Sequence, residues 1–148
     1  MTSPTLPPAI LAALTDSSEA TLRATLAHFG CQAGTVHRVQ DGLLRLTAHE
    51  GIPPQVVAIV DTVPIGKGIA GLAAERREPI TICNLQTDTS GQARPGARAT
   101  GMEGSLAVPM LDEAGELRGV LGIAKAAAYT WSDEETALVL AIAAAMAR

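Results

Sequence analysis

The dipeptide Asp41-Gly42, set between the runs 35–39 and 43–48, constrains the fold of this chain more than any other feature. Asp-Gly readily takes the pair of left-handed conformations that a two-residue hairpin demands, and both flanking runs have strand character. The chain is thereby committed to an antiparallel sheet. If Gln40 pairs with Leu43, His37 opposes Leu46 and His49 opposes Gly34. His37 then shares a face with Val39, Leu44 and Leu46, and His49 lies on the other face with Arg45 and Thr47.

Further strands are expected at 80–83, 105–111 and 117–125, the last two joined through Asp112-Glu113-Ala114-Gly115. Pro7 and Pro8 open a short helix over 9–14. Asp16-Ser17-Ser18-Glu19 then reads as a capping box ahead of Leu22, Leu26 and Phe29 at helical spacing, with Gly30 as the stop. Short helices are expected over 55–60 and 69–76. A last helix starts at Asp133, capped by Ser132 and Glu135, with Leu138, Ile142 and Met146 as its core stripe. Residues 84–104 are polar and broken by Gly91, Pro95, Gly96 and Gly101, and so long a loop in a small domain is usually functional or disordered. Helices before and after an antiparallel sheet make an α+β architecture.

The 148 residues suit one domain, and 47% apolar content supplies a core. That core is built from small parts, with 27 Ala against one Phe, one Trp and one Tyr, so close helix packing is expected. A net charge of −4 and no stretch rich in Lys or Arg argue against nucleic acid as a partner. The first eight residues show no secretory pattern, and the longest apolar run, 137–147, is shorter than the ~20 residues that span a bilayer. No membrane partner is expected, and the chain reads as cytoplasmic. Cys31 and Cys83 are expected to stay unbridged.

Gly66-Lys67-Gly68-Ile69-Ala70-Gly71 matches G-x-G-x-x-G, but a dinucleotide site needs a strand running straight into the first glycine. Here Asp61 to Ile65 intervene, Pro64 among them, so a tight turn before a short helix is expected. His28, His37 and His49 have no metal-ligand spacing with each other or with the cysteines. No metal and no cofactor are expected.

Several segments taken in order resemble a GAF domain: Pro64 to Gly71, Glu78-Pro79-Ile80-Thr81-Ile82, Ser105 to Met110, Gly115 to Ile123, and Trp131-Ser132-Asp133-Glu134-Glu135. The resemblance implies a domain over 17–148 after an N-terminal helical extension, 1–16. It implies terminal helices on one face of the sheet, and short helices and loops over a ligand cavity on the other, a GAF/PAS-like arrangement. The implied function is a sensory or regulatory module, not an enzyme. Ligands vary widely across such modules. Here a small metabolite is expected, anionic because Arg94 and Arg98 lie on the loop over the cavity, with a homodimer through the terminal helices and a signalling partner protein. One enzymatic subgroup, the free methionine-(R)-sulfoxide reductases, carries a Cys where this chain has Ala70. That subgroup carries two more around the loop and the following segment, where this chain offers Cys83. A divergent reductase using Cys83 is therefore one alternative, and a dimerisation module without ligand is another.

The expected pocket lies between the sheet and the 84–104 loop, lined by Ile82, Asn84, Thr100, Ser105 and Ala107, with Arg94 and Arg98 closing over the anion. Ser105 and Ala107 share one strand face and are both small, which leaves room. In the last helix Ala137, Ala141, Ala144 and Ala145 form a second apolar face, suited to a partner copy.

Overall fold

The computed structural model describes residues 4–92 and 95–148, without side chains at 95–97. Helices α1 (Pro8–Leu14) and α2 (Ser18–Phe29) open the chain. The cap of α2 is Ser17 and not Asp16: the Ser17 hydroxyl accepts from the Ala20 amide at 3.0 Å. Gly30 ends the helix in the left-handed region, as expected.

Strands β1 (Ala33–Gln40) and β2 (Leu43–Glu50) form the hairpin, with Asp41 and Gly42 both at positive φ. Gln40 faces Leu43 and His37 faces Leu46. A bulge between Val36 and His37 then shifts the register, so His49 opposes Thr35 and not Gly34. The extra residue on β2 moves Ala48 under the helices opposite Val36, and His49 takes the side of the sheet that Thr35 occupies.

Helix α3 (Pro54–Val60) leads to a short strand that the sequence pattern did not reveal, β3 (Thr62–Pro64). After α4 (Gly68–Arg76) come β4 (Ile80–Ile82), a 3-10 helix (Pro95–Thr100) within the 84–104 segment, β5 (Gly104–Leu111), β6 (Leu117–Lys125) and α5 (Asp133–Met146). The six strands form one antiparallel sheet in the order β3-β2-β1-β6-β5-β4. The α+β architecture is as read from the sequence.

Strand alternation gives the sheet two different faces. On one, Val36, Leu106, Val108, Leu121 and Ile123 pack against Ile10 of α1, Leu22, Leu26 and Phe29 of α2, and Val139, Ile142 and Met146 of α5. The buried stripe of α5 thus runs through Val139, while Leu138 is only partly buried. The helix is apolar nearly all round, so its sequence holds no polar face to fix the phase. Lys125 Nζ donates to the Phe29 carbonyl at 2.6 Å and lies 4.2 Å from the Tyr129 ring, tying the end of α2 to β6. Burial beside this group pushes the Cys31 thiol up to about 11. Both cysteines are free.

On the other face, Leu44, Val63, Ala107, Val120 and Ile80 pack against Ala73 and Ala74 of α4. Among the described residues no helix is long and apolar enough to cross a membrane.

Candidate functional site

The second face of the sheet is only partly covered, and the gap is a cavity of about 160 Å³. Its floor follows from strand register. Thr35 pairs with Gly122, which pairs with Ala107; one step along, Ala33 pairs with Ala124, which pairs with Ser105. These six residues, all small, lie side by side across three adjacent strands and line the cavity. Gly122 keeps the centre flat, since a Cβ there would come within 3.0 Å of Thr35 Oγ1. Larger residues bound the floor: Val120 pairs with His37 on one side, and Ile80 and Ile82 pair with Ala107 and Ser105 on β4.

Val56, Ile59 and Val60 of α3 and Gly68, Ile69 and Ala70 at the start of α4 roof the cavity. From the 84–104 segment Leu85, Thr100 and Met102 close the third side. The opening lies by Ile59, an exposed large apolar residue, and by Lys67, which is also exposed. The roof is held by the G-x-G-x-x-G turn. The Gly66 amide donates to the Gly71 carbonyl at 2.8 Å, and a Cβ on Gly71 would sit 2.6 Å from the Pro64 carbonyl oxygen. The glycines therefore let two backbone segments touch, as expected for a turn.

His37 forms the end wall. It is 2% exposed, and its Nε2 lies 2.8 Å from the Val60 carbonyl at the C-terminus of α3. A carbonyl only accepts, so Nε2 carries the proton and Nδ1, which is buried without a partner among the described residues, carries a lone pair. Burial pushes the His37 pKa below its ordinary value, partly offset by the Val60 hydrogen bond and the nearby Asp61 charge. The ring is neutral at pH 7.

The residues expected at the site divide into three groups. Thr100, Ser105 and Ala107 line the cavity. Ile82 is buried beside Ser105 without lining it, and Asn84 is engaged in the loop, donating to Glu103 Oε1 at 3.1 Å and accepting from the Gln86 amide. Arg98 is exposed and donates to the Asp88 carbonyl at 3.2 Å, while Arg94 lies outside the described residues. Sequence reasoning missed Thr35, Gly122 and His37. Their alternation was visible, but not the strand order that sets β1 beside β6 and β6 beside β5. Cys83 is exposed at the far end of β4, where the Thr130 hydroxyl is 3.8 Å from its sulfur, and it does not line the cavity.

A family model described as a GAF domain matches residues 12–148. The chain belongs to the GAF domain family. The GAF domain of a phosphoenolpyruvate-protein phosphotransferase from Coxiella burnetii has the same fold, with a TM-score of 0.78 at 23% identity over 93% of this chain and 86% of that one. A second such domain, from Acinetobacter, gives 0.76 at 15% identity over 93% and 85%. Free methionine-R-sulfoxide reductase from Neisseria meningitidis, solved with its substrate, gives 0.74 at 15% identity over 93% and 81%. No curated protein matches the chain. The reductase corrects the expectation that this GAF domain is no enzyme. The same fold carries catalysis, so membership of the family is no argument against it.

Proposed function

We propose that this GAF domain is a sensory module that binds a small molecule in the cavity between the sheet and α3–α4 and signals through a homodimer of its terminal helices. The observation that carries the reading is the cavity itself, roofed by short helices over a floor of six small residues. A collapsed core would fill those positions with larger residues. Thr35, Thr100 and Ser105 are the polar groups that would orient the ligand, and Ala107 and Gly122 make room for it.

A route from cavity to helices supports the signalling half. His37 and Arg38 are neighbours on β1 and point to opposite faces. His37 bonds to the end of α3, while Arg38 Nη1 donates to the Met146 carbonyl of α5 at 2.9 Å and Nη2 to the Ser18 hydroxyl of α2 at 3.1 Å. A shift of the α3 roof would thus reach both terminal helices through two adjacent residues. On the outer surface, Leu11 of α1 is 49% exposed, and Ala144 of α5 is exposed beside half-buried Ala141 and Ala145. That apolar surface suits a second copy of the chain.

A thermal-shift screen against a metabolite collection, followed by light scattering with and without each hit, tests the reading. A ligand that raises the melting temperature of the wild type and not of Ala107→Leu supports it. A screen in which every stabilising compound acts equally on both proteins contradicts it.

A further inference from the structure

We infer that the cavity selects a compact, uncharged, largely apolar molecule, of about six to nine non-hydrogen atoms, over anions and over nucleotide-sized ligands; this rests on the proposed ligand-binding role. Size is the first argument. An apolar protein cavity of about 150 Å³ holds a benzene molecule, and this one measures about 160 Å³. The floor cannot deepen, because it is the sheet itself, and its other side is the packed core beneath the helices.

Charge is the second argument. Among the described lining residues Lys67 is the one formal charge, and it is exposed at the mouth. The interior walls are Val56, Val60, Val63, Ile69, Leu85 and Met102, and the end wall is the neutral His37 ring. An ion placed against such walls loses its hydration without a compensating partner. Arg98, expected from the sequence to grip an anion, is not in the wall.

Polarity within the floor is the third. The Thr35 and Ser105 hydroxyls stand on opposite sides of the small central residues Gly122 and Ala124. Each can donate or accept, so either matches one hydroxyl or carbonyl on an otherwise apolar ligand. A ring or branched aliphatic body with one such group satisfies size, charge and polarity together.

The test uses three probes on the full chain: benzyl alcohol, its similarly sized anion benzoate, and cyclic AMP, each followed by amide shifts in two-dimensional NMR. Benzyl alcohol should bind saturably with shifts at Thr35, Ala107 and Gly122. Benzoate should bind at least about tenfold more weakly, the least that burying an unpaired ion costs, and cyclic AMP should leave these amides unmoved. Ala107→Leu and, as a second filling variant, Ala124→Leu should abolish saturation by benzyl alcohol while retaining dispersed spectra. Benzoate binding as tightly as benzyl alcohol, cyclic AMP moving the floor residues, or alcohol binding that survives both variants overturns the inference. Cyclic AMP or benzoate binding at these same residues would do so while leaving the ligand-binding role intact. If no probe binds, the inference falls, and the metabolite screen decides the role separately.

Discussion

Replacing Gly71 by Ala separates two views of the glycine turn that roofs the cavity, because they predict opposite signs. Gly71 lies inside α4, where Ala is the better helix former by about 1 kcal/mol, so propensity alone predicts stabilisation. The structure predicts the reverse. The new Cβ would lie 2.6 Å from the Pro64 carbonyl oxygen and 3.1 Å from the Gly66 amide nitrogen, both backbone atoms that cannot rotate away. Overpacking of this kind costs roughly 1–3 kcal/mol. Moving the two segments apart also strains the Gly66–Gly71 hydrogen bond, worth about 1 kcal/mol. After the propensity gain is subtracted, the net loss is about 1–3 kcal/mol. The single tryptophan, Trp131, is buried and reports unfolding by fluorescence. With a urea slope of about 2 kcal/mol/M, the midpoint should fall by about 0.5–1.5 M at unchanged slope. A midpoint that rises would refute the view that these glycines serve close backbone contact.

Acid should destabilise the domain through His37. Its folded pKa is lowered, so the unfolded chain binds the extra proton. Stability is then complete above the unfolded value near 6.5, and falls as the pH drops below it, by at most about 1.4 kcal/mol per pH unit. His37→Gln should flatten that slope in urea melts between pH 5 and 7, and an equal slope in the variant would contradict the assignment. The two thiols should differ in reactivity: exposed Cys83 should alkylate with iodoacetamide well before Cys31, whose thiol is pushed up to about 11. Equal rates in peptide mass analysis would count against this. Ala144→Glu, on the outer face of α5, should turn the proposed dimer into monomer in light scattering, and a wild-type monomer or an undisturbed mutant dimer would count against that arrangement.

What the sequence disclosed followed from local chemistry. The hairpin, the capped α5, the stop at Gly30 and the strands around Asp112–Gly115 each rest on residues within a few positions of one another. The errors have equally local causes. Asp16 and Ser17 are both good cap acceptors, and only backbone geometry chose Ser17. No alternation betrays the bulge beside His37, so the register of His49 slipped by one. The strand β3 is three residues long and ends in Pro64, whose missing amide suits an edge. At the site, Ser105 and Ala107 were readable because they alternate on one strand. Thr35 and Gly122 join them only through the order β1-β6-β5, which pairs segments nearly ninety positions apart in sequence. Arg98 was placed by its chemistry alone, and chemistry does not say which way a loop side chain turns.

The central claim is that the space between the sheet and α3–α4 takes up a ligand, and a structure of crystals pressurised with xenon tests it most directly. Xenon occupies apolar cavities of this size without needing a matched polar group. The account predicts a xenon peak above Ala107 and Gly122, beneath Ile69, and its disappearance in Ala107→Leu. A wild-type structure in which Ile59, Ile69 and Met102 pack down onto the floor, with no xenon between, would contradict it.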